Sequence, residues 1–337
     1  MTKVAINGFG RIWRLALRSF LENYENSNVE IIAINDPSGT ATSAHLFEFD
    51  SNYWPFKWKV SHWEDYIEIN WKKIASFADR DPLNLPWKDL WVDIVLECTG
   101  FFCDQKWASK HIKAWAKRVI ISAPWKWEID WTFVYWVNHE DFNLATDFVI
   151  SNASCTTNCL APVAKVINDK FWIKHGLMNT IHSYTWDQRL LDSSHKDLRR
   201  ARNAATSICP TKTWAAKAVS LVIPSLKWKI DWFSLRIPTP TVSCVDLTFE
   251  TEKEISVESL NKALKEASEW KMKWVLGFES RPLVSIDFKA NTHSSIVDEA
   301  LTRVMWTNFW KIVAWYDNEY GYATRLVDLA AFVGSKI

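Results

Sequence analysis

Short apolar runs alternate with amphipathic stretches through the first half of the chain, and the spacing of each predicts its element. Val4–Asn7, Val29–Asn35, Val92–Cys98, Arg118–Ser122 and Phe148–Ser151 are apolar runs of strand length. Between the first two, Arg11–Tyr24 places Ile12, Leu15, Ala16, Leu17, Phe20 and Leu21 at helical spacing. Strand, helix and strand at this interval predict a parallel, doubly wound sheet of Rossmann type. After residue 155 the pattern changes. A helix is expected over about Cys155–Lys170, followed by long β-rich stretches such as Phe233–Thr251 with its alternating "VSCVDLTFE". A helix over Ser256–Ser268 carries Leu260 and Leu264 on one face, and Tyr322–Val333 is amphipathic. The second half therefore predicts an α+β domain on a largely antiparallel sheet. The expected division is a dinucleotide-type domain over 1–152, completed by a C-terminal helix over 318–337, and a second domain over 153–317.

Composition narrows the class. A length of 337 residues suits two domains of roughly 150 residues each. Lys plus Arg is 40 against 39 for Asp plus Glu, so no global field recruits nucleic acid or a membrane surface. No run of 18 apolar residues occurs, and "MTKVAING" opens directly on a strand, which gives the expectation of a cytoplasmic protein. Six scattered cysteines (Cys98, Cys103, Cys155, Cys159, Cys209, Cys244) read as reduced thiols. None of the eight histidines pairs at metal-ligand spacing, so no metal is expected.

Two stretches carry chemistry. "INGFGRI" puts Gly8 and Gly10 between a strand and a helix, where free amides and the helix dipole suit a pyrophosphate. Asp36 closes the next strand, where a carboxylate can accept hydrogen bonds from ribose hydroxyls. Against this stands the simpler reading of a sharp turn without a ligand. "SNASCTTNC" (151–159) sets Cys155 at a helix N-terminus, where dipole and amides are expected to lower a thiol pKa and to hold an oxyanion. Cys159 lies one turn deeper and reads as packed. His182, in the β-like "TIHSYT", is the candidate base, although a histidine there is more often a satisfied core group. Arg236 in "LRIPTPT" offers fixed charge for a phosphorylated substrate, and Thr185, Thr211 and Thr213 offer hydroxyls.

With "SNASCTTNC", "INGFGRI", "HSYT", "DLRRAR", "LRIPTPTVS" and "WYDNEYGY" in that register, the chain resembles the phosphorylating glyceraldehyde-3-phosphate dehydrogenases from Val4 to its end. The resemblance implies a glycolytic and gluconeogenic oxidoreductase with glyceraldehyde 3-phosphate, inorganic phosphate and NAD as its partners. Cys155 would form a thiohemiacetal, and His182 would take its hydroxyl proton as hydride leaves to the nicotinamide. Phosphate would then cleave the thioester. By the same resemblance, Arg236 and Thr185 hold the substrate phosphate, and Ser154, Thr156 and Thr213, beside Trp214, frame inorganic phosphate. Asn7, Gly8, Phe9, Gly10, Arg11, Ile12, Asp36, Arg80, Thr99, Gly100 and Ser122 line the dinucleotide, with Asn318 and Tyr322 at the nicotinamide. A homotetramer is implied, with 183–205 at an interface, so that "KDLRRAR" is interface and solvated charge rather than a nucleic-acid patch. Asp36 resembles NAD users, whereas Ser193-Ser194 resembles members that tolerate NADP. The alternatives are the sister activity on erythrose 4-phosphate, or an inactive binding protein.

One count is abnormal. Average usage of about 7% predicts roughly 24 glycines, yet the chain has 8 alongside 23 tryptophans. Aligned by motif, twenty tryptophans fall where the family has glycine: 13, 54, 58, 63, 71, 91, 107, 115, 125, 127, 131, 136, 172, 186, 214, 228, 232, 270, 274 and 306. Trp310 is ambiguous, while Trp87 and Trp315 fit the family. Many of these positions are expected to need positive φ, which disfavours tryptophan. A glycine codon rendered as tryptophan, UGA being read either way in different bacterial codes, would account for the set. Deliberate replacement is the rival explanation.

Overall fold

The computed structural model describes residues 1–24, 27–124, 129–212 and 215–337, without the side chains of 215–217. The chain forms two compact units. The first comprises Met1–Phe133, His139–Ala153 and Ala323–Ile337, and the second Val134–Asn138 and Ser154–Tyr322.

In the first unit, the apolar runs become strands β1 (Thr2–Asn7), β2 (Val29–Asn35), β6 (Ile94–Glu97), β7 (Arg118–Ile121) and β9 (Val149–Ser151). With β3 (Val60–His62), β4 (Tyr66–Ile69), β5 (Lys72–Phe77) and β8 (Trp131–Thr132) they form one sheet in the order β3-β4-β5-β2-β1-β6-β7-β9-β8. From β5 to β8 neighbouring strands run parallel. Val4, Ala5 and Ile6 of β1 are fully buried, as expected for a central strand covered on both faces. Helices α1 (Arg11–Asn23), α2 (Thr40–Glu48), α3 (Trp87–Leu90) and α4 (Gln105–Lys113) belong to this unit. The run expected over Val92–Cys98 is a shorter strand, because Asp93 turns its carboxylate to the Lys3 amide at 2.8 Å. The antiparallel β3-β4-β5 meander was not legible in the hydrophobic pattern, since its turns lack the usual glycine punctuation.

In the second unit, α5 (Cys155–Phe171), α6 (Ala215–Val222) and α7 (Val257–Glu269) accompany a mixed sheet. Its strands are β10 (Ile173–Ser183), β11 (Cys209–Thr211), β12 (Ile230–Ile237), β13 (Ser243–Thr251), β14 (Leu276–Glu279), β15 (Ser295–Asp298), β16 (Arg303–Met305) and β17 (Phe309–Tyr316). The order is β11-β12-β10-β13-β17-β15-β14, with β16 on β17. Most pairs are antiparallel, but β10–β12 and β14–β15 are parallel. The β-rich stretch over Phe233–Thr251 resolves into two strands, because Pro238 and Pro240 lack the N–H that a ladder needs. Ser256 caps α7, accepting from the Ser259 amide. A last helix, α8 (Tyr320–Gly334), begins in the second unit and ends in the first. There Ser19 Oγ meets Thr324 Oγ1 at 2.9 Å and Thr2 Oγ1 donates to Gly334 O at 3.0 Å.

The backbone separates the tryptophans into two kinds. Among the described residues twelve non-glycine residues have positive φ, and eight are tryptophans: 54, 71, 91, 115, 136, 172, 228 and 306. All eight belong to the twenty that the resemblance places at glycine positions, and all are 37–91% exposed. Trp87 and Trp310, outside that set, are buried to 1% exposure or less. The local reasons are specific. Asn70 and Trp71 (φ 48° and 68°) form the two-residue loop between β4 and β5, a turn type that favours Asn-Gly. Trp91 and Trp172 end α3 and α5 in left-handed or nearby conformations, and Trp115 follows the end of α4, where helices commonly place glycine. A left-handed residue with a side chain costs about 1–2 kcal/mol, so eight of them approach the whole stability of a typical domain, about 5–15 kcal/mol. Positive φ is not common to the whole set, since Trp13 and Trp107 lie in ordinary helical backbone. Trp125, Trp127 and Trp214 lie outside the described residues.

Candidate active site

Ser154 caps α5, its Oγ accepting from the Thr157 amide at 3.1 Å, and this places Cys155 as the first helical residue. The parallel pairing of β10 with β12 sets His182 directly beside Arg236. Cys155 Sγ then lies 3.4 Å from His182 Nε2. His182 Nδ1 is 2.7 Å from the Ser183 carbonyl oxygen. With the ring proton on Nδ1, donation there leaves Nε2 an acceptor facing the sulfur, whereas a donor aimed at Nδ1 favours the other tautomer. Arg236 Nη1 contacts the same Nδ1 and donates to Ser183 O at 3.2 Å.

The electrostatics of the resting pair differ from the expectation of a depressed thiol. Burial pushes the Cys155 thiol up, and the Arg236 charge with the Thr156 hydroxyl and amide offsets this only in part. Burial, then the Arg236 charge, hold His182 well below the usual imidazole range. Both shifts favour the uncharged forms, thiol and imidazole, over a thiolate–imidazolium pair. Helix-terminal amides alone did not decide this, because desolvation of a half-buried sulfur opposes them.

Sequence reasoning left Tyr316 and Thr180 unassigned. Tyr316 OH meets Thr156 Oγ1 and Thr180 Oγ1, each at 2.9 Å, and its ring stands edge-on to His182 at 6.0 Å. Tyr316 lies in the quoted "WYDNEYGY", but only the β10–β13–β17 arrangement reveals its contact with the histidine. Cys159 is buried and pushed up by desolvation, with Sγ 3.5 Å from Ser295 Oγ, a packed thiol. Asn318 is buried, its Oδ1 accepting from Ser243 Oγ at 2.9 Å, and Tyr322 is buried in the first turn of α8. Thr185 follows β10, its amide donating to Gln188 Oε1 at 3.2 Å, and the Thr211 hydroxyl accepts from Arg200 Nε. Thr213 and Trp214 lie outside the described residues.

In the first unit, the remaining candidates gather at the carboxyl ends of the parallel strands, where doubly wound folds bind ligands. Asn7 ends β1, and Gly8 (φ 90°) follows with its Cα so close to the next loop that a Cβ would stand 2.8 Å from Thr99 N. Phe9 N donates to Asp36 Oδ2 at 2.7 Å, tying the loop after β1 to the end of β2. Gly10 caps α1 with open space where a Cβ would be, and Arg11 and Ile12 form its first turn. Arg11 pairs with Asp50 at 3.1 Å. Arg80 is exposed in the loop after β5, Thr99 and Gly100 (φ 71°) follow β6, and Ser122 follows β7. This cradle, open at Gly10, fits a dinucleotide pyrophosphate. The Trp13 indole is 1% exposed, and its Nε1 reaches Ser122 Oγ at 3.4 Å.

A doubly wound unit with a glycine loop at its strand ends, beside a second unit that brings a cysteine against a histidine, is the build of a dinucleotide-dependent oxidoreductase. The chain belongs to the glyceraldehyde-3-phosphate dehydrogenase family. Residues 2–105 match the model of the family's NAD binding domain and residues 154–318 that of its C-terminal domain. It is 52% identical to glyceraldehyde-3-phosphate dehydrogenase 2 of Trichormus variabilis over 337 residues, covering 100% of this chain and 99% of that one. Identity to glyceraldehyde-3-phosphate dehydrogenase 1 of Bacillus cereus is also 52%, with the same coverage. A chloroplastic form from Chlamydomonas reinhardtii is 51% identical over 99% of this chain and 89% of its own. No described helix is long and apolar enough to cross a membrane.

Proposed function

We propose that the chain oxidises D-glyceraldehyde 3-phosphate with inorganic phosphate to 1,3-bisphosphoglycerate, reversibly, with NAD as hydride acceptor. The observation that carries this reading is Cys155 Sγ at 3.4 Å from His182 Nε2 with Arg236 on the adjoining strand. Cys155 Sγ attacks the aldehyde carbon, and the first turn of α5 stabilises the oxyanion. His182 Nε2 takes the thiol proton and passes it to the oxyanion, giving the thiohemiacetal hydroxyl. It then takes that hydroxyl proton as hydride leaves the carbon and releases it to solvent, and the proton of the attacking phosphate goes to the leaving sulfur. Arg236, with Thr185, binds the substrate phosphate. Ser154, Thr156 and Thr213 frame inorganic phosphate. The dinucleotide, when bound, supplies the hydride acceptor; Asn7 to Ile12, Asp36, Arg80, Thr99, Gly100, Ser122, Asn318 and Tyr322 hold it. The erythrose 4-phosphate alternative is set aside, because the relatives named above are glyceraldehyde-3-phosphate dehydrogenases. Steady-state assay with glyceraldehyde 3-phosphate, phosphate and NAD tests the proposal. Absent NADH formation, or faster turnover of the four-carbon aldose phosphate, overturns it.

Asp36 favours NAD over NADP. Its Oδ2 takes the Phe9 amide and its Oδ1 the Ser38 amide and hydroxyl, which holds a carboxylate where a 2′-phosphate would lie. Asp36→Ala is expected to lower the KM for NADP by about tenfold, about 1.4 kcal/mol, and to raise that for NAD. An unchanged NADP KM would show that Ser193-Ser194 governs the choice instead.

A cytoplasmic homotetramer without a nucleic-acid partner completes the proposal. Leu177 and Phe233 are exposed on the second unit's sheet, and Leu190, Leu191, Leu198 and Ile208 on the segment between β10 and β11. So much exposed apolar side chain suits a buried subunit contact. Light scattering is expected to give four times the chain mass, and a monomer at micromolar concentration would refute it.

A further inference from the structure

We infer that the source organism inserts glycine at the twenty tryptophan positions, and that a glycine in place of Trp13 thereby completes the dinucleotide fingerprint. Three observations converge. The eight surface tryptophans with positive φ occupy a tight hairpin turn, helix ends and loops, each with the backbone that glycine adopts freely. Trp87 and Trp310, outside the set, differ from these eight, being buried in α3 and β17 without positive φ; Trp13, in helical backbone, is buried as they are, so its assignment rests on the fingerprint pattern. Gly8, Gly10 and Gly321 persist, as glycines written with ordinary codons would.

The consequence for function lies at position 13. With glycine there, "GFGRIG" is the full G-x-G-x-x-G pattern, whose third glycine permits close helix–strand packing. With tryptophan, the indole runs from the first turn of α1 to Ser122 Oγ beyond the end of β7. It is packed beneath the loop, at 1% exposure, in the space of the close helix–strand approach that a third glycine permits. This deepens the proposed dehydrogenase reading, and the two are tested apart.

Intact mass of the native protein tests the inference directly. Replacing an indole side chain by hydrogen removes about 129 Da, so the expected mass is about 2.6 kDa below the 39.3 kDa of the tryptophan chain. A native mass of 39.3 kDa overturns the inference whatever the activity. Two recombinant forms, with glycine or tryptophan codons at the twenty positions, supply the functional arm. Calorimetric NAD binding is expected for the glycine form. A third form, with glycine at the other nineteen positions and Trp13 alone retained, is expected to bind at least 100-fold more weakly. Undiminished binding by that third form overturns the role of position 13. Absence of NAD binding by a folded glycine form with the expected mass defeats the dehydrogenase reading instead.

A separate observation concerns Glu97, whose carboxylate is fully buried and, among the described residues, has no lysine or arginine paired with it. Four donors converge on it: Asn7 Nδ2 at 2.6 Å, Thr99 N at 2.8 Å, Thr99 Oγ1 at 2.5 Å and His111 Nε2 at 3.1 Å. Trp87 Nε1 donates to His111 Nδ1 at 3.0 Å, which leaves the proton on Nε2. Asn7 and Thr99 bracket the close approach of Gly8 to the loop after β6. We propose that Glu97 is a positioning residue that sets these two loops for the dinucleotide, a role that rests on the reading above. Glu97→Gln would turn an amide donor toward donors. In the glycine form the KM for NAD is expected to rise at least fivefold, with kcat and the KM for aldehyde unchanged. Trp87→Phe, which frees His111 Nδ1, is expected to move the same constant less. An unchanged KM for NAD, with or without a loss of melting temperature, makes Glu97 merely structural and overturns the proposal. A glycine form with Glu97 intact that binds no dinucleotide refutes the underlying reading.

Discussion

Cys155→Ala is expected to abolish NADH formation, lowering kcat by about 10⁴-fold or more, while NAD still binds. The sulfur is the only atom proposed to bond to the aldehyde carbon. Cys159 cannot substitute, because it is buried a turn deeper with its thiol toward Ser295 and the Ala314 carbonyl. Pre-steady-state kinetics would show the loss directly, since wild type should release a burst of NADH at acylation and the variant none. A variant retaining more than about 1% of wild-type turnover would place the nucleophile elsewhere.

His182→Asn is expected to lower kcat by about 10²–10⁴-fold, the usual contribution of a positioned general base, and to change the pH response in two ways. The first concerns rate. Because burial and Arg236 hold His182 well below its ordinary 6.5, the base form persists on acidification, so the acid limb of wild-type kcat should lie below that value. The variant should lose this limb. The second concerns stability. Folded His182 refuses a proton that the unfolded chain accepts, so its contribution to stability is present above 6.5 and is lost as pH falls toward the folded value. Melting temperature should therefore drop between about pH 7 and about pH 5, and drop less in His182→Asn. His139, also held down by burial, keeps part of the slope in both proteins. An acid limb at or above 6.5 would show that substrate binding restores the imidazole to its ordinary range.

Local pattern carried far in this chain. Val29–Asn35 reads as a strand from its residues alone, and Arg11–Tyr24 as a helix, which the structure ends at Asn23, because burial periodicity is a property of neighbours in sequence. The helix opening at Cys155 was legible for the same reason: Ser154 and the polar residues around it are a local cap. Punctuation was another matter. The β3-β4-β5 meander stayed hidden because Asn70-Trp71 stands where Asn-Gly would have announced it.

By itself the sequence determined the two kinds of domain, the helix that opens at Cys155, and the anomaly of the tryptophans, all of which depend on residues close together along the chain. Tertiary structure alone decided which distant groups meet. His182 and Arg236 stand side by side because β10 and β12 pair in parallel, and burial reversed the expected direction of the Cys155 thiol. Tyr316 against His182, and Asn7, Thr99 and His111 on Glu97, likewise depend on strand order. Desolvation and register are set by what packs from elsewhere in the chain, so no reading of neighbouring residues contains them.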